Sequence, residues 1–172
     1  MPVSVVFDRD VGIPLVVAAV LDCRQFPRTA VADGDNARAQ GRIEPGCLVV
    51  VVDDNTQVLR SMVRLLEDWD CQVVAATGVE EVLTIIIDRD ITPQLLLTDY
   101  HLADGATGIE AIEAINAEIT NRAAAIMISS DNSKALREEL EELEIPLLTK
   151  PLDPARLRAL MQHLLKVSKA SA

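Results

Sequence analysis

The sequence predicts a doubly wound α/β fold, a parallel five-stranded sheet with helices on both faces. Two observations carry that expectation. From Cys47 onward, short aliphatic runs of strand length alternate with amphipathic stretches of helix length. The runs are also apolar throughout instead of at every second residue, so both faces of each strand need cover, as happens when helices connect parallel strands. Composition then sets the core: 49% of the 172 residues are hydrophobic but only 2% are aromatic, so Val, Ile, Leu, Ala and Met must fill it.

The first run, LVVVV (48–52), ends on two adjacent acids, Asp53 and Asp54, and Asn55 or Thr56 can cap the helix that follows. In that helix Val58, Met62, Leu65 or Leu66, and Trp69 recur at helical spacing. CQVVAA (71–76) is the second strand, and Val79, Val82, Leu83 and Ile86 form the next apolar face. QLLLT (94–98) leads to Ile109, Ile112, Ile115 and Ile119, and AAIMIS (124–129) to Leu136, Leu140 and Leu143. In this fourth helix the run REELEELE (137–144) reads as a solvated face. IPLLT (145–149) is the last strand. Asp153 followed by Pro154 then starts a helix whose apolar side is Leu157, Leu160, Met161 and Leu164.

Ahead of this pattern, residues 1–46 read as an N-terminal extension and linker, because 22–46 are polar and rich in proline and glycine. The folded domain is expected over 47–167 and a short tail over 168–172. The run IPLVVAAVL (13–21) falls well short of a bilayer span. Asp8, Arg9 and Asp10 precede it where a secretory signal would carry positive charge. A cytoplasmic protein without direct membrane contact is expected. The net charge of -11 and the lack of a basic cluster speak against a nucleic-acid partner. Cys23, Cys47 and Cys71 fit neither a disulfide framework nor a zinc site and read as small thiols in a reducing compartment.

Doubly wound sheets place their sites at the carboxyl ends of the strands. There the first strand offers Asp53 and Asp54, the third Asp99, the fourth Ser129, and the fifth Lys150 followed by Pro151. Three carboxylates in one crevice repel one another, and Lys150 compensates only one of them. A divalent cation would supply the rest, and all-oxygen ligation by few protein groups suits Mg²⁺. No G-x-G-x-x-G follows the first strand, which disfavours a dinucleotide site.

VVVDDN, LLLTD, IMISS and LLTKPLDP, at these separations, resemble the receiver domain of two-component response regulators over Cys47 to about Val167. DYHLADGATG and LLTKPLDPARLRAL look most like the C-terminal receiver modules of hybrid sensor histidine kinases. The resemblance implies a flavodoxin-like (βα)5 fold. It makes Asp99 the phosphoacceptor, Asp54 a direct Mg²⁺ ligand, Asp53 the acid that holds metal-bound water, and the His101 backbone carbonyl a further ligand. Ser129 and Lys150 would contact phosphoryl oxygens, and Pro151 would follow a cis peptide bond. The implied partner is a sensor histidine kinase or histidine phosphotransfer protein, in a phosphorelay where the chain is acceptor and not enzyme. With about 20 residues after Lys150, no output domain is expected.

Three departures from the family pattern stand out. Ala103 takes the place of the usual proline, in a loop one residue longer that is expected to be more mobile. Leu147 replaces the usual aromatic three residues before the lysine, so switching must use another element. Asp131, with His101, is expected to flank the acyl phosphate. Two other readings remain open at this point. One is a pseudo-receiver that docks proteins without phosphotransfer. The other is a haloacid-dehalogenase-type phosphatase, disfavoured because His101 stands where that class needs a second acid.

Overall fold

The computed structural model describes residues 43–170. The readings placed on residues 1–42, Cys23 among them, and on the last two residues of the tail lie outside the described residues. Five strands form one parallel sheet: β1 (Leu48–Val52), β2 (Gln72–Ala76), β3 (Leu95–Asp99), β4 (Ala124–Ser129) and β5 (Leu147–Thr149), in the order β2-β1-β3-β4-β5. Helices α1 (Thr56–Glu67), α2 (Val79–Arg89), α3 (Gly108–Glu118), α4 (Lys134–Glu142) and α5 (Pro154–Ala170) alternate with them. This is the expected doubly wound, flavodoxin-like (βα)5 sheet.

The strand residues alternate between two buried layers, which is why the runs are apolar at every position. Val49, Val51, Leu95, Leu97, Ile126 and Ile128 face α1 and α5. Val50, Val52, Val74, Leu96 and Met127 face α2, α3 and α4. A buried leucine such as Leu97 contributes about 1.5–3 kcal/mol by leaving water, so these aliphatic layers hold the sheet, with Trp69 and Tyr100 packed only at their margins.

Helix α1 is set slightly differently from its sequence reading. Its central buried stripe is Leu59, Met62, Val63 and Leu66, at i, i+3, i+4 and i+7, while Val58 and Leu65 lie on the flank, half-buried. Trp69 falls after the helix, in the turn to β2, with the Arg158 guanidinium 5.6 Å from its ring centroid. Packing and helix extend a few residues to either side of 47–167. Ile43 is buried in the α1–α5 layer, and Gly46 N–H donates to the Asp70 carbonyl at 2.7 Å, so packing begins ahead of Cys47. At the other end α5 continues to Ala170. No helix of the described residues is long and apolar enough to cross a membrane.

Candidate phosphoryl and metal site

The strand order reverses between β1 and β3, and their carboxyl ends carry the acids. Asp53 follows β1 and is buried, at 4% exposure. Its Oδ1 accepts from the Asn55 N–H at 2.9 Å and its Oδ2 from Lys150 Nζ at 3.2 Å. Asn55 then caps α1, its side-chain oxygen accepting from the N–H groups of Gln57 and Val58. One short turn thus buries one acid and starts a helix, and it leaves Asp54 exposed beside them.

Asp99 ends β3, half-buried, and accepts from Lys150 Nζ at 2.7 Å. The carboxylates of Asp53, Asp54 and Asp99 each have an oxygen within 4.8 Å of the others. Burial pushes the Asp53 carboxyl above its usual range, although the Asn55 N–H and the Lys150 charge oppose the rise. Burial also works against the Lys150 charge. Its hydrogen bond to Asp99 and the charges of both acids outweigh that, so the ammonium titrates above its usual range. The Lys150–Pro151 peptide bond is cis.

Three clustered acids against one ammonium, with oxygen donors only, suit a hard divalent cation. The backbone of His101 is consistent with that. His101 pairs with Thr107 in an isolated antiparallel bridge whose hydrogen bonds run from Gly108 N–H to Tyr100 O and from Leu102 N–H to Ala106 O. The bridge therefore leaves the His101 carbonyl uncommitted. The His101 ring is exposed and meets Tyr100 edge-on, with centroids 4.8 Å apart.

Ser129 ends β4, fully buried, and its Oγ accepts from the Asp131 N–H at 3.0 Å. The Asp131 carboxylate accepts from the Ser133 N–H at 2.8 Å and from the Ser133 hydroxyl at 3.3 Å. Ser133 caps α4. The side chain expected to flank the acceptor is thus folded onto its own loop. Leu147 is half-buried against the α2–α4 layer. The long β3–α3 loop is also tied down, by the bridge and by a 3₁₀ turn at Ala103–Gly105 in which Asp104 and Gly105 take positive φ of 59° and 78°.

Sequence reasoning missed Gly108. A Cβ there would fall on the Asp99 carbonyl oxygen, 2.8 Å from Met127 Sδ and 2.9 Å from Thr98 Oγ1. The first turn of α3 therefore closes directly against the strand that carries Asp99. A signal was present in the sequence: Thr107 and Glu110 form a capping box, T-x-x-E, around this glycine. Also unforeseen is a cleft of about 500 Å³ that opens from Asp53, Asp99 and Lys150 between Val58 and Met62 of α1 and Leu152.

Residues 49–162 match the family model of the response regulator receiver domain. Among solved structures, a response regulator receiver domain protein from Clostridium thermocellum matches with a TM-score of 0.62 at 21% identity, over 73% of this chain and 99% of that one. The response regulator PhyR from Brucella abortus matches with a TM-score of 0.62 at 26% identity, over 76% of this chain. A mutant of PhyR from Bartonella quintana, described as an anti-anti-sigma factor, matches with a TM-score of 0.59 at 28% identity, over 77% of this chain. The match spans 51% and 52% of the two PhyR chains. No curated protein matches the chain.

Proposed function

The chain belongs to the response regulator receiver domain family, and we propose that it accepts a phosphoryl group on Asp99 from a phosphohistidine. The donor would be a sensor histidine kinase or a histidine phosphotransfer protein in a cytoplasmic phosphorelay, and the chain would act as acceptor and not as enzyme. The observation that carries this reading is the convergence of Asp53, Asp54, Asp99 and Lys150 at the switch point of the sheet.

In this reading Asp99 is the nucleophile. Its carboxylate forms a bond to phosphorus, the bond from phosphorus to the imidazole nitrogen breaks, and the electron pair stays with the imidazole. Lys150 fixes the orientation of Asp99 beforehand and offers its ammonium to the phosphoryl oxygens as charge redistributes. Asp53, Asp54, Asp99 and the His101 carbonyl would hold Mg²⁺, which when bound neutralises phosphoryl charge. Ser129 leaves its bond with the Asp131 N–H to contact a phosphoryl oxygen. The stretches DYHLADGATG and LLTKPLDPARLRAL support a place at the end of a hybrid kinase.

Incubation with acetyl phosphate and Mg²⁺, read by intact mass, tests the proposal. One hydroxylamine-labile phosphoryl adduct is expected, absent after chelation and in Asp99→Asn. Likeness to a protein described as an anti-anti-sigma factor favours a second reading, a docking module without phosphotransfer. Failure of acetyl phosphate and of several phosphorylated kinases to modify the intact chain would select it.

A further inference from the structure

Two cysteines that the acid site does not use stand just ahead of β1 and β2, at the opposite end of the sheet. β1 and β2 pair in constant register, with Leu48 opposite Gln72, and the Gln72 N–H donates to the Cys47 carbonyl at 2.9 Å. One residue back, that register sets Cys47 opposite Cys71. Both side chains are buried in the α1–α5 layer, at 6% and 7% exposure, so both leave the sheet on the same face. Neighbouring strands lie about 4.8 Å apart, within the Cα separations that a disulfide bridges. Both residues are reduced in this structure.

We propose that Cys47 and Cys71 form a dithiol modification site, closed to an intrachain disulfide by low-molecular-weight disulfide oxidants. Cys47 Sγ attacks one sulfur of the oxidant, giving a mixed disulfide and releasing one small thiol, which takes the proton. Cys71 Sγ then attacks Cys47 Sγ, and the second small thiol leaves with the second proton. The protein loses two electrons and two protons, and the oxidant becomes two thiols. Burial pushes the Cys71 thiol up to about 12, so Cys71 serves as the second, intramolecular nucleophile, where the register supplies the proximity. The bond joins the edge strand β2 to its interior neighbour β1 and closes a loop around α1. Asp53 is six residues from Cys47 along an extended strand, roughly 20 Å away at 3.3 Å per residue. The site is therefore independent of phosphotransfer at Asp99.

The test uses the full chain carrying Cys23→Ser, which keeps the third cysteine out of the exchange. After folded protein is treated with oxidised glutathione, intact mass should fall by about 2 Da. A non-reducing digest should join the Cys47 and Cys71 peptides, and dithiothreitol should reverse both changes. Oxidation should speed up as pH rises, and the oxidised form should melt several degrees higher. Cys47→Ala and Cys71→Ala should each abolish the mass loss; circular dichroism checks that they fold. A stable glutathione adduct in place of the intrachain bond would overturn the proposal, as would oxidation that proceeds only in urea.

Discussion

Lys150 binds Asp99 more closely than Asp53, with its Nζ donating at 2.7 Å to the first and at 3.2 Å to the second. One ammonium thus joins acids from the ends of two neighbouring strands, and its bonds go to Asp53 and Asp99 while Asp54 stays exposed. Charge in the pocket is only partly compensated, and the outcomes below follow from that imbalance and from the packing around it.

Mg²⁺ is expected to raise the melting temperature of the chain. A ligand at a hundred times its dissociation constant adds about 2.7 kcal/mol, well above the error of a thermal scan. Asp54→Ala should abolish the shift. Asp53→Ala should weaken it less, because that acid is expected to act through metal-bound water. An unchanged melting temperature at millimolar Mg²⁺ would contradict a shared pocket.

Stability without metal should fall with rising pH in two separate windows, one acid and one alkaline. Asp53 titrates above its ordinary 3.8 in the folded chain because it is buried. The folded state then holds more protons than the unfolded one between those two values, so stability falls as pH rises through the window and returns in acid. Lys150 titrates above its ordinary 10.5, so its contribution is complete below that value and is lost as pH rises through the folded one. Urea midpoints taken across pH should show Asp53→Asn flattening the acid limb and Lys150→Ala flattening the alkaline limb. An acid limb unaltered in Asp53→Asn would assign it to another group.

Gly108→Ala should displace β3, which carries Asp99, since its Cβ has no space against the Asp99 carbonyl, Met127 and Thr98. A loss of about 1–3 kcal/mol is expected from overpacking, with slower acetyl phosphate labelling of the protein that remains folded. Urea unfolding and intact mass measure the two effects. Wild-type values in both would mean that the contact relaxes without consequence.

Phosphorylation is expected to alter the β4–α4 loop but little beyond it. Ser129 must give up the Asp131 N–H to reach a phosphoryl oxygen, and that loosens the turn that Asp131 makes with Ser133. Leu147 offers no ring to swing inward and is already packed against the α2–α4 layer. Amide exchange with and without a beryllofluoride mimic should therefore change at residues 131–133 and stay nearly constant over 134–149. Broad changes across α4 and β5 would show that a different element carries the switch.

The order of strands and helices was legible because each is written locally. Apolar runs such as LVVVV mark strands buried on both faces, and the 3.6-residue period of Leu136 and Leu140 marks a helix with one buried side. The convergence of Asp53, Asp54, Asp99 and Lys150 was legible too, once parallel strands sent them to the same edge of the sheet. Helix orientation was not: Val58 and Leu65 share the period of α1, but only packing put Leu59 and Val63 on the sheet and left those two on the flank.

The sequence by itself determined which groups are present and at which strand ends they stand, since both follow from the order of residues along the chain. Tertiary structure alone decided which acid is buried, that Asp53, 97 residues away, shares Lys150 with Asp99, and that the β1–β2 register brings Cys47 and Cys71 to adjoining strand ends. It also decided that Ser129 rests on Asp131 and that Gly108 admits no side chain. The physical reason is distance along the chain. Periodicity reports the face that a residue turns to the core, whereas contacts between remote segments depend on strand register and close packing, which no local pattern encodes.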